Sequence, residues 1–550
     1  MLGAWRSRLA SGRPNYGRPV LSARPPHRRR ALLLAAALAA LVATTTATPS
    51  TTAAPTASPS ATAPAHAGPV STWSTAAGTD QRVYLADGQG RALQLHGFNI
   101  KSGEPATAAS EELLALAAAH GMDHVRLAWF WQDLEPTEDA YDDTYLAELV
   151  TVLDRAEALG LKVILDMHQD VFGEAFQSRG VPAWATRTDG LAFEKQDSWL
   201  LDYLQPAVQA AFDHLYEDAD LRQAQIDAWL HVVQEVKDHP ALLGYDLLNE
   251  PFGQLRDGES LFEAAARVER TQLTPMYQRL TDAIAAVDAD HWVFVEPPNL
   301  ASLGIATSLG EVNGPKVAVY PHMYDANIEL ATYGDDGKIV YDPGFFSSWA
   351  DAIRGYAAAN RIPMLVGEWG VAHPERPGMD AFVADSLATL DAEASGWSMF
   401  TMCRGEGYCP FDAAGNPRPA IGAIFAPYAR AIAGAPTSTT FDPEARSLRV
   451  RFDESEATGP TEIWLDADGT YPDGWKVQTS DPDGTWTSSY DEATGVLAVD
   501  LSATGEPHAI CVVPADAPDG CTATDPEPIP PAGDAPPAAV PVAARPDYTG

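Results

Sequence analysis

The chain has 550 residues, of which 46% are hydrophobic, so it is long enough for a large core and for more than one domain. Its 75 acidic residues outnumber its 36 basic residues, which gives a formal net charge of −39. Because such a surface repels phosphates and no basic stripe is present, we expect no nucleic-acid partner.

The N-terminal segment differs from the rest of the chain. Residues 1–30 carry eight arginines and no acidic residue, and the apolar run ALLLAAALAALVATTTA follows. A basic start, a short apolar run and small residues near Ala47 predict a signal peptide over 1–47 and a secreted, extracellular protein. An uncleaved N-terminal membrane anchor is the alternative. Residues 48–70, rich in Ala, Thr, Pro and Ser, predict a disordered linker.

From residue 91, short apolar runs rich in β-forming residues alternate with stretches of helical periodicity. Two of these stretches, EELLALAAAHG and YLAELVTVLDRAEALG, stop at Gly121 and Gly160, as helices with a left-handed C-terminal cap do. Eight strands alternating with helices predict an α/β fold, a (β/α)8 TIM barrel, as the large domain over 71–434. The predicted strands are 92–100, 124–131, 162–169, 242–250, 292–297, 316–324, 364–370 and 396–402.

The remaining segments have a different character. The aromatic-rich insert 171–240 is expected to add helices over the barrel mouth. Short alternating runs such as SLRVRF, TEIWL and VLAVDL predict a small C-terminal antiparallel β-sandwich over 435–524. The Pro- and Ala-rich segment 525–550 predicts a disordered tail.

The four cysteines fall in two close pairs. In an exported protein the simplest interpretation is two local disulfides, Cys403–Cys409 and Cys511–Cys521. A zinc site at the first pair is the alternative, but its spacing does not match a zinc knuckle and no histidine lies nearby.

Polar residues occur near the ends of most predicted strands. In a TIM barrel the C-terminal strand ends converge on one mouth, so together these residues indicate a functional site. Taken singly, each has a structural alternative: Arg126 as a buried ion-pair partner, His168 as a core histidine and Trp397 as ordinary core. The candidates are His96, Asn99, Lys101, Arg126, Asp166, His168, Asp170, Asn249, Glu250, His322, Tyr324, Glu368 and Trp397.

Two carboxylates, Glu250 after strand four and Glu368 at the end of strand seven, are expected to face each other across the mouth. Such a pair is typical of a glycosidase, because one carboxyl protonates the leaving oxygen while the other, ionised, attacks the anomeric carbon. The expected supporting roles are a bond from Asn249 to the sugar 2-hydroxyl, orientation of the nucleophile by Arg126 and Tyr324, donors from His168 and His322, and an apolar face from Trp397.

These motifs resemble glycoside hydrolase family 5. The resemblance rests on LHGFN, VRL, the Asn-Glu-Pro at 249–251, YPHMY and the Gly-Glu-Trp at 367–369, in this order over roughly residues 80–430. It implies a retaining hydrolase with Glu250 as acid/base and Glu368 as nucleophile. It also implies substrate-binding roles for Arg126, His168, Asn249, His322, Tyr324 and Trp397.

Within this family the chain is similar to the endoglycoceramidases. The segment LDMHQDVFG, with Asp166, His168 and Asp170, resembles their strand-three segment, and Lys101 lies where they place a sugar-binding lysine. The resemblance implies hydrolysis of the β-glycosidic bond between an oligosaccharide and ceramide. Segments 171–185 and 344–350 are candidates for exposed apolar lips of the mouth, with loop packing as the alternative. The cysteine-containing stretch after strand eight departs from the aromatic-rich pattern of the endoglycoceramidases.

Two alternative functions stay open. One is another family 5 β-glycosidase, such as an endo-β-glucanase or a glucosyl-lipid β-glucosidase. The other is a catalytically inactive carbohydrate- or lipid-binding surface protein, against which the presence of both carboxylates counts. No metal or organic cofactor is implied, since two carboxylates suffice for the chemistry. We expect a monomer that contacts a membrane surface or micelles transiently.

Overall fold

The computed structural model describes residues 69–79, 82–101, 104–196, 199–329, 333–334 and 336–522. The predicted signal peptide, nearly all of the predicted linker and the predicted tail lie outside the described residues. Among the helices of the described residues, none is long and apolar enough to cross a membrane.

Three short strands precede the barrel: β1 (Ser74–Ala77), β2 (Val83–Ala86) and β3 (Ala92–Leu93). The barrel strands are β4 (Leu95–Ile100), β5 (His124–Trp129), β6 (Lys162–Met167), β7 (Leu242–Asp246), β8 (Trp292–Val295), β9 (Val317–Val319), β10 (His322–Met323), β11 (Val366–Trp369) and β12 (Gly396–Met399).

The barrel strands form one parallel sheet in the order β10-β11-β12-β4-β5-β6-β7-β8-β9. Only Tyr320 and Pro321 separate β9 from β10, and Val319 also forms a parallel bridge to Met364. The two edges of the sheet therefore meet and close the barrel. All eight predicted strands are confirmed, with the sixth divided into β9 and β10.

Helices cover the outside of the barrel, so its strands are buried on both faces, as is usual for parallel sheets. Every residue of β4, β5 and β7 is buried. The helices of the barrel and its insertions are Pro105–Ala108, Glu111–Ala119, Trp131–Leu134, Asp143–Ala158, Trp199–Tyr203, Pro206–Glu217, Ala219–Val236, Leu261–Val268, Thr274–Ala285, Ala326–Glu329, Gly344–Asn360 and Met379–Glu393. Shorter helical turns are Val70–Thr72, Glu174–Phe176, Ala183–Ala185, Glu269–Leu273, Asn299–Leu303 and Pro419–Phe425.

The helix Asp143–Ala158 shows how local sequence sets these elements. The side chain of Asp142 accepts hydrogen bonds from the backbone N–H groups of Thr144 and Tyr145, which caps the N-terminus. At the other end, Gly160 has φ of +71°, a conformation that glycine adopts without strain. The predicted stop at this glycine is therefore confirmed.

The insert 171–240 contributes helices, as predicted. In the two segments that are predicted as exposed apolar lips, 171–185 and 344–350, aromatic side chains pack inward instead. Phe172 in the first segment and Trp349 in the second are fully buried. Phe346 is also buried. For these side chains the structure favours loop packing over an exposed lip along 171–185 and 344–350.

The C-terminal domain is an antiparallel β-sandwich, as predicted. Its strands are β13 (Tyr428–Ile432), β14 (Ala435–Asp442), β15 (Ser447–Asp453), β16 (Thr461–Trp464), β17 (Trp475–Thr479), β18 (Trp486–Asp491), β19 (Val496–Leu501) and β20 (His508–Pro514), with a short helix at Ala467–Thr470. One sheet has the order β1-β2-β3-β13-β16-β19-β18 and the other β14-β15-β20-β17. The first sheet thus includes three strands from before the barrel, which the sequence analysis placed in the large domain.

Polar contacts join this sandwich to the N-terminal end of the barrel. The hydroxyl of Tyr428 donates to Asp123 Oδ2 at 2.6 Å, and Arg430 Nε donates to Asp123 Oδ1 at 2.9 Å. Asp123 directly precedes β5, so the sandwich lies opposite the mouth formed by the C-terminal strand ends.

Both predicted disulfides, Cys403–Cys409 and Cys511–Cys521, are present. The alternative of a zinc site at the first pair is therefore wrong, because a disulfide sulfur is not a thiolate ligand.

Candidate active site

Arg126 lies at the centre of the polar cluster at the barrel mouth. It projects from β5, and its side chain is only 1% exposed. Its guanidinium therefore needs several acceptors to offset the cost of burying a charge. It donates to Asp246 Oδ2 at 2.8 Å, Asn99 Oδ1 at 2.9 Å, Glu368 Oε1 at 2.7 Å, Asn249 Oδ1 at 2.9 Å and Glu296 Oε1 at 2.9 Å, and lies 3.1 Å from Asp166 Oδ2.

Glu368 lies at the end of β11 and is held by two donors. Arg126 binds its Oε1, and the hydroxyl of Tyr324 donates to its Oε2 at 3.0 Å. Burial alone would raise the pKa of Glu368, but the positive charges of His322 and Arg126 outweigh it and lower the pKa below the usual value. The Glu368 carboxyl is therefore ionised at neutral pH.

Glu250 has the opposite protonation preference. Burial raises its pKa above the usual value for glutamate, and the Glu368 and Glu296 carboxylates add to this, although the hydrogen bond and the charge of His322 oppose the shift. Its Oε1 lies 2.9 Å from His322 Nδ1. A carboxyl in this environment retains its proton more readily than one in water, as a general acid must.

The backbone at Glu250 is strained and is held by neighbouring side chains. Its φ of +41° lies in the left-handed region, which is uncommon for a residue with a Cβ. Its backbone N–H donates to Glu296 Oε2 at 2.7 Å, and its carbonyl accepts from Gln169 Nε2 at 2.8 Å. These two bonds hold the turn that directs the side chain into the mouth.

His322 lies between the two carboxyls. Its Nδ1 is 2.9 Å from Glu250 and 3.8 Å from Glu368 Oε2, and its Nε2 is 3.2 Å from Glu296 Oε1. Burial alone would lower the pKa of His322, but the Glu296 and Glu368 carboxylates raise it well above the usual value. The imidazole is therefore cationic and offers two donors.

An oxygen of Glu250, an oxygen of Glu368 and a nitrogen of His322 all lie within 4.8 Å of one another. This upper limit lies below the ~6.5–9.5 Å separation of inverting glycosidases and is compatible with the ~5–5.5 Å of retaining ones. A metal ion would need these groups deprotonated. The raised pKa values of Glu250 and His322 instead favour proton chemistry here.

A second polar group lies beside this pair, and two of its members, Lys101 and Asp170, are more open to solvent. Lys101 Nζ is 2.5 Å from Asp170 Oδ2, and both side chains are 20% exposed. His168 Nδ1 is 2.6 Å from Asp166 Oδ2, and its Nε2 is 3.3 Å from Asn249 Nδ2. These residues lie where hydroxyl groups of a bound sugar would find both donors and acceptors.

The structure brings every predicted catalytic and substrate-binding residue to this mouth except Trp397. The side chain of Trp397 is fully buried and stacks on His96 with ring centroids 4.2 Å apart. In the sheet, Trp397 of β12 is also paired with His96, near the start of β4. Trp397 therefore lies near the start of β12, away from the C-terminal strand ends, and packs among buried rings, which corrects its predicted role as a sugar-facing residue. Phe400 instead follows β12 at the mouth, 6.0 Å from Lys101 Nζ.

Three further residues of the site were missed. Glu296 follows β8 and contacts Arg126, His322 and the backbone of Glu250. The same rule of polar residues at strand ends would have found it, since it is the last residue but one of the predicted strand WVFVEP. The same rule would have found Gln169, which ends the predicted strand 162–169, whereas Asp246 has no comparable signal because it lies inside an apolar run.

Comparisons with known proteins agree with this geometry. The sequence profile described as Cellulase (glycosyl hydrolase family 5) matches residues 86–404. The chain belongs to glycoside hydrolase family 5. The profile of the family 5 C-terminal domain matches residues 427–512, which correspond to most of the β-sandwich. The chain is therefore a glycoside hydrolase that carries a family 5 C-terminal domain after its barrel.

Several individual proteins are similar to this chain. Endoglycoceramidase I of Rhodococcus hoagii (strain 103S) is 29% identical over 453 residues, covering 77% of this chain and 87% of that protein. An endoglycoceramidase of Cyanea nozakii is 30% identical over 246 residues, covering 38% of this chain and 49% of that protein. The structure of endo-glycoceramidase II from Rhodococcus sp. in a ganglioside GM3 complex is 28% identical with a TM-score of 0.69, covering 79% of this chain and 100% of that one.

Proposed function

We propose that this protein is a secreted, retaining endo-β-glycosidase that hydrolyses the bond between the oligosaccharide and the ceramide of glycosphingolipids. The observation that carries the proposal is the carboxyl pair at the mouth. One carboxyl has a raised pKa, the other has a lowered pKa, and their nearest oxygens lie within 4.8 Å.

The two protonation states fit the two steps of double displacement. Ionised Glu368 attacks the anomeric carbon while protonated Glu250 donates to the departing oxygen, which leaves a glycosyl-enzyme and free ceramide. Glu250, now ionised, removes a proton from water, which attacks the glycosyl-enzyme and releases the oligosaccharide. Cationic His322, which contacts Glu250, stabilises the acid/base in its charged form between the steps.

Two observations support glycosphingolipids as substrate. The first is the similarity to the endoglycoceramidases of Rhodococcus and Cyanea. The second is the presence of exposed apolar side chains in the segment that follows β7, where Leu255 is 38% and Phe262 is 49% exposed. Phe262 also lines a pocket with Leu300 and Ile305. A lipid aglycone needs an apolar surface beside the polar sugar site, whereas a soluble glucan does not.

The decisive experiment offers the protein a ganglioside, lactosylceramide and a soluble β-glucan, and measures products by mass spectrometry. We expect free ceramide together with an intact oligosaccharide from the glycolipids. Release of sugar from the glucan alone would contradict the proposed substrate and favour another family 5 β-glycosidase. The Glu368→Gln variant is the control, since it keeps the side-chain shape but lacks the nucleophile.

Export is part of the proposal. It is supported by the basic and apolar N-terminal segment and by the disulfides Cys403–Cys409 and Cys511–Cys521, which persist in oxidising compartments. N-terminal sequencing of the protein recovered from culture medium should find a start near Ala47. A full-length chain found only in the membrane fraction would favour the uncleaved anchor.

A further inference from the structure

A disulfide-closed loop after β12, residues Cys403–Cys409, lies beside the catalytic pair and has no role in the mechanism described above. We call it the cysteine loop. It carries Tyr408, which is 9% exposed and packs in one cluster with Tyr324, Ala372 and Phe400. The ring of Tyr408 meets that of Phe400 edge to face, with centroids 5.3 Å apart. The loop therefore packs in the same cluster as Tyr324, the residue that binds the nucleophile.

The hydroxyl of Tyr408 donates a hydrogen bond to the carboxyl of Glu329. Glu329 ends the short helix Ala326–Glu329 and is 7% exposed. Burial, together with the nearby Asp325 and Glu250 carboxyls, raises the pKa of Glu329 to about 8, although the bond from Tyr408 opposes the shift. At neutral pH this carboxyl is therefore mostly neutral and acts as a hydrogen-bonding group rather than as a charge.

The position of Tyr408 is fixed from both sides. Arg418 donates to the carbonyls of Gly407 at 3.0 Å and of Cys409 at 3.3 Å, the two residues that flank Tyr408. Gly407 has φ of +65°, which permits the tight turn before the tyrosine. Together with the disulfide, these contacts leave the Tyr408 ring little freedom to move.

We propose that the cysteine loop positions the nucleophile: Tyr408, bound to Glu329, holds the phenol of Tyr324 in place. Tyr324 in turn donates to Glu368 at 3.0 Å. The inference rests on the proposed function, since that function makes Glu368 the nucleophile. Tyr408 and Glu329 are positioning residues, because they act through Tyr324 rather than on the substrate.

The test measures how fast the nucleophile is trapped by a 2-deoxy-2-fluoro-β-lactoside with a dinitrophenyl leaving group. This leaving group departs without a proton from Glu250, so the trapping rate reports on Glu368 alone. We expect Tyr408→Phe to slow trapping roughly tenfold, less than the ~100-fold that a 1 Å misplacement costs. The dissociation constant of the fluorosugar should stay within about twofold of wild type, because Tyr408 does not bind the sugar.

Matched variants separate positioning from general destabilisation. Tyr356→Phe removes a similarly buried tyrosine hydroxyl, which binds the Gly310 carbonyl, and should trap at the wild-type rate. Glu329→Ala should slow trapping as Tyr408→Phe does, whereas Glu329→Gln keeps an accepting oxygen for the tyrosine and should restore the rate.

The two disulfides provide a second matched pair. Replacing both Cys403 and Cys409 by serine should slow trapping, while the same change at Cys511 and Cys521 in the β-sandwich should not. The inference would be overturned if Tyr408→Phe and the variant with serine at Cys403 and Cys409 both trapped at the wild-type rate. It would also be overturned if the controls, Tyr356→Phe and the variant with serine at Cys511 and Cys521, lost as much of the trapping rate. If the wild-type protein itself is never labelled, the proposed function fails instead.

Discussion

Replacing Tyr324 by phenylalanine removes one hydrogen-bond donor from Glu368, the proposed nucleophile, and leaves the aromatic ring in place. The lost bond is 3.0 Å long and ends on Glu368 Oε2, a buried carboxylate. A hydrogen bond to a charged group contributes about 1.5–3 kcal/mol. Because a donor stabilises only the ionised form, its loss should raise the pKa of Glu368 by roughly one to two units, at about 1.4 kcal/mol per unit.

The assay is the pH dependence of kcat/KM on an aryl β-glycoside that the wild-type protein hydrolyses. Activity requires ionised Glu368, so the acidic limb of the profile reports the pKa of this group in the free enzyme. We expect the limb of Tyr324→Phe to lie about one to two pH units above that of wild type. The Tyr356→Phe variant, whose hydroxyl binds only a backbone carbonyl outside the mouth, should keep the wild-type limb. An unchanged limb in Tyr324→Phe would refute the assignment of this bond to the nucleophile.

Three further predictions follow from the same cluster. Glu250→Ala should abolish ceramide release but keep much of the rate of the first step on a dinitrophenyl glycoside, whose leaving group needs no acid. An equal loss of rate on both substrates would contradict the role of Glu250 as the acid. The Arg126→Lys variant keeps the charge, but its ammonium group cannot reach all the acceptors of the guanidinium. In denaturant titrations its free energy of unfolding should therefore be lower by about 3–5 kcal/mol. The control Arg354→Lys, on the exposed surface, should change the free energy of unfolding by less than about 1 kcal/mol. The pH profile of kcat/KM for the wild-type protein should be bell-shaped, with activity lost at low pH as Glu368 gains a proton and at high pH as Glu250 loses its proton. Addition of a metal chelator should leave this profile unchanged.

Much of this site follows from one rule applied to the sequence. Apolar runs of strand length, alternating with helical stretches, identify the barrel, and polar residues at strand ends then identify the mouth. Arg126, Glu250, His322 and Glu368 were found in this way. Glu296 was missed although it obeys the same rule, because no neighbouring motif drew attention to the fifth strand.

Other features depend on register or on distant pairing, which a strand pattern does not contain. Trp397 and Phe400 are three residues apart, and only the pairing of Trp397 with His96 shows that Phe400 is the one at the mouth. Likewise β3 pairs with β13 although more than three hundred residues separate them, so the shared sheet was not visible in the sequence. The left-handed backbone of Glu250 also depends on contacts from Glu296 and Gln169, which come from other strands.

The most direct test of the central claim is to identify the residue that becomes covalently linked to the sugar. After trapping with the fluorolactoside, digestion and mass spectrometry should locate a single modified peptide, with the sugar on Glu368. The wild-type protein should also release the β-anomer first when the products of an unmodified substrate are followed by NMR. A sugar on another residue, or release of the α-anomer first, would contradict the assignment of Glu368 as the nucleophile of a retaining hydrolase.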